Sequence, residues 1–120
     1  MKDLLFVFLG GGLGSTLRYL CSQFIPSNAD GTSFPWATFC VNILGCFLIG
    51  LLGSMTAKFG WSASARLFLT VGLCGGFTTF STFCRESFTL LDAGNYLVLS
   101  LYISLSIILG ILAVWIGSHL

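Results

Sequence analysis

The sequence predicts an all-α integral membrane protein of four transmembrane helices, the third broken in mid-membrane. Three observations predict it. Of 120 residues 56% are apolar and 8% charged, with a mean hydropathy of +0.98, whereas about a quarter of an ordinary soluble domain is charged. Four apolar stretches, near residues 4–25, 35–57, 67–91 and 96–118, each reach the ~20 residues a helix needs to cross the hydrocarbon core. The chain between them is short and rich in turn and cap residues: Pro26 to Gly31, Lys58 to Ser62 and Asp92 to Asn95. Almost nothing is left for a soluble domain, so residues 1–120 read as one four-span unit with both termini on the same side.

The first stretch follows Lys2 and has the look of a secretory leader. It is too long for one and lacks a small-x-small site before a polar region, so it is read as a retained helix. The second stretch carries one strongly polar residue, Asn42, in Val41-Asn42-Ile43-Leu44-Gly45. An amide in lipid needs partners and offers donors to an anion.

The third stretch contains the most informative run of the chain, Gly75-Gly76-Phe77-Thr78-Thr79-Phe80-Ser81-Thr82-Phe83. Unsatisfied backbone groups are costly in hydrocarbon, so a glycine-broken, polar run at that depth persists only inside protein or along a cavity. Ser and Thr in membrane helices also bond back to the preceding turn and serve packing alone. Four hydroxyls and two adjacent glycines in nine residues exceed what packing needs, and the run is read as a site with a helix break near 75–80. Arg85 and Glu86 follow it; intramembrane ionisable groups are functional candidates, although a long cation also snorkels to an interface. In the last stretch Tyr102, Ser106 and Gly110 recur every four residues and share one helix face, with Ser100 and Ser104 on another. A stripe of hydroxyls suits a small anion better than a large apolar substrate.

Small residues recur at four-residue spacing, Gly10 with Gly14, Gly50 with Ser54, Gly72 with Gly76 and Ser106 with Gly110, the spacing that lets helices approach closely in lipid. The cluster Gly10-Gly11-Gly12-Leu13-Gly14-Ser15 has no preceding strand and no Gly-Lys-Ser/Thr ending, so it is not read as a phosphate loop. The cysteines, Cys21, Cys40, Cys46, Cys74 and Cys84, form no C-x-x-C pair and have no histidine cluster beside them. They are read as small apolar residues, neither a metal site nor a disulfide framework. His119 is read as an interfacial residue.

Lys2, Lys58 and Arg66 fall on the side of the termini, Arg18 and Arg85 toward the other. Excess Lys and Arg in cytoplasmic loops sets orientation, and three against two is a weak bias. The expectation is insertion both ways, which permits an antiparallel homodimer with its two-fold axis in the membrane plane. Two copies would supply eight helices.

With these motifs on hand, the chain resembles the Fluc or CrcB fluoride channels of bacteria, over essentially its full length. The resemblance rests on Gly-Gly-x-x-Gly-x-x-x-Arg at 10–18, on Val41 to Gly45, and above all on Gly75 to Phe83. It implies a four-span, dual-topology homodimer in the bacterial cytoplasmic membrane that lets fluoride leave passively, with no enzymatic activity. Phe80 and Phe83 would then be the pore phenylalanines, Asn42 the pore amide, and Thr79, Ser81, Thr82, Tyr102 and Ser106 donors along a polar track. Arg18 matches a vestibule arginine and Glu86 an acidic residue near the track. The backbone carbonyls of Gly75 and Thr78 match ligands of a central structural sodium ion shared by both subunits. The family carries a further hydroxyl one turn beyond Ser106, where this chain has Gly110.

Elementary chemistry accords with that pattern. Phenylalanine has a positive ring edge that attracts an anion without holding it tightly, and conduction requires that no site bind too well. The rival reading is a small multidrug-type, proton-coupled exporter of organic cations, which needs a membrane-embedded carboxylate. Glu86 is the sole acidic residue deep enough, and Arg85 beside it opposes a cation. A scaffold subunit would need no polar track, and an enzyme would need a nucleophile paired with a base.

Overall fold

In a computed structural model, which describes residues 1–25 and 31–120, each apolar stretch becomes a helical span. Helix α1 is Lys2–Phe24 and α2 is Trp36–Phe59. The third span, Ala63–Asp92, consists of α3 (Ala63–Arg66), a π-helical stretch (Leu67–Cys74), α4 (Gly75–Phe77) and α5 (Phe80–Asp92); α6 is Tyr96–Ser118. Spans of 23 to 30 residues are about 35–45 Å long at 1.5 Å per residue, enough to cross a bilayer. Among the described residues there is no strand. Of the first connection, Pro26 to Asp30 lie outside the described residues.

The ends follow cap chemistry more closely than hydropathy. The Ser62 hydroxyl accepts the Ala65 N–H at 3.2 Å, so the third span starts at Ala63 rather than near 67 as its apolar content predicts. Gly60, at φ 62°, closes α2 in the left-handed conformation that glycine adopts most readily. Asn95 closes the opposite end, its Nδ2 donating to Gly31 O at 3.2 Å.

Two helix pairs organise the packing: α1 lies along the third span and α2 along α6. The predicted small-residue pairs sit where those backbones touch. A Cβ on Gly10 would overlap Phe68 O, one on Gly14 would overlap Leu73 O, and one on Gly76 would overlap Gly11 O. The second seam is made by Gly50 against Val114 O and Gly117 against Phe47 O. Gly110 differs, since a Cβ there would meet only side chains at ordinary contact distance, Cys46 Sγ at 3.5 Å and Ile43 Cδ1 at 4.0 Å.

At one end of the bundle Lys58 Nζ donates to the Leu120 main-chain oxygen. Within the chain 11% to 22% of each span's most apolar window is buried, leaving wide apolar faces for lipid or another copy.

Candidate functional site

The third span is interrupted at Thr78 (φ −85°, ψ 160°) and Thr79 (φ −149°, ψ 119°), both extended, about halfway along Ala63–Asp92. A break removes helical hydrogen bonds, and side chains from α1, α2 and the span itself replace several of them. Asn42 of α2 grips Thr79 from both sides: its Nδ2 donates to Thr79 O at 3.1 Å and its Oδ1 accepts the Thr79 N–H at 2.8 Å. The amide thereby pairs with Thr79 as a neighbouring strand would. From α1, Arg18 Nε and Ser15 Oγ donate to Gly76 O at 3.1 and 3.4 Å. Thr78 turns its N–H and its hydroxyl back onto Cys74 O, each at 3.0 Å. Thr79 Oγ1 accepts the Thr82 N–H at 3.3 Å and so caps α5. Gly45 of α2 has no side chain because the Thr78 methyl occupies that space.

The carbonyl of Thr78, which belongs to neither flanking helix, accepts no hydrogen bond among the described residues. Gly75 has open space around it: a Cβ there would come no nearer to another atom than 3.9 Å, to Thr70 O.

Two cavities flank the break. One, of about 320 Å³, is lined by Arg18, Thr38, Thr79, Thr82, Arg85 and Glu86 among others. The second, of about 330 Å³, is lined by Asn42, Thr78, Thr79, Phe80, Phe83 and Ser106 together with Gly75 and both Cys46 and Cys74. Thr79 is the residue they share. A path between them therefore passes the hydroxyl that caps α5 and the backbone that Asn42 grips.

An aromatic row runs beside the second cavity. The Phe80 and Phe83 centroids are 6.0 Å apart, Phe83 lies 4.9 Å from Tyr102, and Tyr102 meets Phe34 edge-on at 5.4 Å. Tyr102 is wholly buried, and its hydroxyl donates to Glu86 Oε1 at 2.9 Å. Phe80 is 77% exposed within one chain, so its outer face is open to lipid or to another copy.

The sequence model of the CrcB-like (camphor resistance, CrcB) protein family matches residues 5–118. The chain belongs to the CrcB family. Among its relatives is a protein of Phocaeicola vulgatus named a fluoride-specific ion channel, 54% identical over 98% of this chain and 96% of the relative. Proteins of the same name from Bacteroides fragilis (47% identical; 100% and 96% covered) and Methylocella silvestris (41%; 96% and 89%) are also similar.

Within this CrcB chain the break gathers most of the residues singled out from the sequence. Asn42, Thr79, Phe80, Phe83 and Ser106 line the second cavity; Arg18, Thr79, Thr82 and Glu86 line the first. Two stand apart. Ser81 is exposed and lines neither cavity. Tyr102 lies behind the wall, its hydroxyl directed at Glu86. Thr38 and Ser15 were not singled out. Thr38 is 8% exposed and sits beside the Tyr102 hydroxyl; it precedes Asn42 by four residues, and that shared helix face was the available signal.

The open space at Gly110 gives a test within the CrcB fold. Gly110→Ala and Gly110→Ser are expected to fold and assemble as the parent does, whereas Gly14→Val is expected to fail to fold, because its side chain would enter the Leu73 backbone. Thermal unfolding of the purified variants in detergent checks both.

Proposed function

We propose that this protein is a passive, fluoride-selective channel that lowers cytoplasmic fluoride, working as an antiparallel homodimer in the bacterial inner membrane. The observation that carries the reading is full-length similarity, at 41–54% identity, to relatives named fluoride-specific ion channels. The geometry supplies a chemical rationale. Fluoride is small and strongly hydrated, and a pore must replace its water with donors. Thr79, Thr82 and Ser106 offer hydroxyls along the two cavities, and the gripping amide of Asn42 keeps a second N–H beyond the one it gives Thr79. Phe80 and Phe83 offer ring edges, which attract without trapping.

A mid-membrane position for the break is supported by its place halfway along the third span. A second, inverted copy is supported by the faces a single chain leaves open: Phe80 stands exposed, and a Cβ on Gly12 or Gly53 would touch nothing within 4 Å. Two copies related by an axis in the membrane plane bring their broken helices together at the centre. The backbone carbonyls of Gly75 and Thr78 would then suit a shared sodium ion, because hard cations take oxygen ligands and broken helices expose them. When bound, such an ion supplies a central positive charge that lowers the barrier to an anion.

Proton-coupled export of an organic cation fits less well. The Glu86 carboxylate is engaged by Tyr102, and Arg18 and Arg85 line the same cavity. In cells that lack their own fluoride export, expression of this chain is expected to restore growth at fluoride concentrations that arrest the parent strain, with no change in resistance to quaternary ammonium compounds. The opposite pattern would point to the exporter.

A further inference from the structure

The Arg18 guanidinium points its inner edge at backbone. Nε donates to Gly76 O, reinforced by Ser15, at a separation of 58 residues along the chain. The close approach of α1 to the third span at Gly10 and Gly14 sets this reach, since Gly14 lies one turn before Arg18 and packs on the Leu73 carbonyl. The other end of the break is held by Asn42. Between the two grips lies the extended Thr78, whose carbonyl accepts nothing within the described residues.

We propose that Arg18 is a positioning residue for the break: by holding the Gly76 carbonyl toward α1, it keeps the chain extended at Thr78 and the Thr78 carbonyl free. A helix that loses this grip can retwist and draw Thr78 O back into an intrachain bond. The functional consequence rests on the channel and sodium reading above, while the structural claim stands on the hydrogen bonds alone. The competing account is that Arg18 works only through its charge, drawing anions into the first cavity that it lines.

Side-chain length separates the two. Glutamine places its Nε2 as many bonds from Cα as arginine places Nε, so Arg18→Gln keeps the donor to Gly76 and removes the charge. Arg18→Lys keeps the charge and has carbon at that position. Arg18→Met has neither.

Hydrogen–deuterium exchange across residues 75–83 of the full-length protein, and the sodium concentration for half-maximal fluoride efflux, read the outcome. Loss of one charge-assisted hydrogen bond is expected to raise both by about tenfold in Arg18→Met. Arg18→Lys is expected to match Arg18→Met, and Arg18→Gln to stay within about threefold of the parent. Lysine behaving as the parent while glutamine behaves as methionine would overturn the proposal in favour of charge alone, as would three variants that are indistinguishable from one another. If the parent itself carries no fluoride, the channel reading fails, and the order of the exchange rates still decides for or against Arg18.

Discussion

Replacing Phe83 by isoleucine is expected to cut fluoride throughput by about ten- to a hundredfold while the protein still folds, one or two steps of about 1.4 kcal/mol in barrier height. Phe83 lies between Phe80 and Tyr102 at centroid distances of 6.0 and 4.9 Å and lines the same cavity as Asn42 and Ser106. Isoleucine fills much of the volume and has no polarised ring edge, so the change removes the attraction for an anion more than the packing. Phe80→Ile is expected to act in the same direction. Phe88, also on α5, is 64% exposed and lines neither cavity, so Phe88→Ile should conduct as the parent does. Efflux rates of the three variants, compared at equal amounts of folded protein, check this. Equal rates for Phe83→Ile and the parent would remove the aromatic mechanism.

Substitution of Asn42 by aspartate is expected to abolish conduction. The carboxylate still accepts the Thr79 N–H but cannot donate to Thr79 O, and two oxygens then face each other where the structure has a 3.1 Å hydrogen bond. A negative charge also stands in the cavity proposed as the anion's path. Asn42→Ala separates the two effects: it adds no charge and leaves the Thr79 N–H and C=O unpaired, at about 1–3 kcal/mol each. Alanine is therefore expected to lower thermal stability and conduction together, aspartate to stop conduction outright. A freely conducting Asn42→Asp would show that the ion does not pass this amide.

Much of the fold was legible because lipid imposes simple demands. Four apolar stretches had to be helices, and the four-residue spacing of Gly10 with Gly14 and of Gly72 with Gly76 marked faces for close packing without saying which helix each would meet. The break was legible too, since Gly75-Gly76 followed by hydroxyls is a poor helix in hydrocarbon, and the structure interrupts the span at Thr78 and Thr79. The early start of the third span was not, because hydropathy scores the Ser62 cap as loop. The π-helical turns of Leu67–Cys74 have no signature in residue type. Nor did local pattern reveal the grip of Arg18 on Gly76 or of Asn42 on Thr79, contacts made across 58 and 37 residues. Sequence supplied the chemical kind of each group; only the close packing of α1 and α2 on the broken span determined which backbone atom each one serves. The same holds for Thr79, whose place between two cavities depends on an extended backbone that no side chain announces.

Passive conduction of fluoride by this chain is open to direct observation as efflux from liposomes reconstituted with the purified protein, with a potassium ionophore to discharge the membrane potential, sodium present, and chloride-loaded vesicles in parallel. Rapid fluoride release is expected, scaling with the gradient, independent of any proton gradient and absent for chloride. Fluoride retention by vesicles that contain verified folded protein would refute the channel.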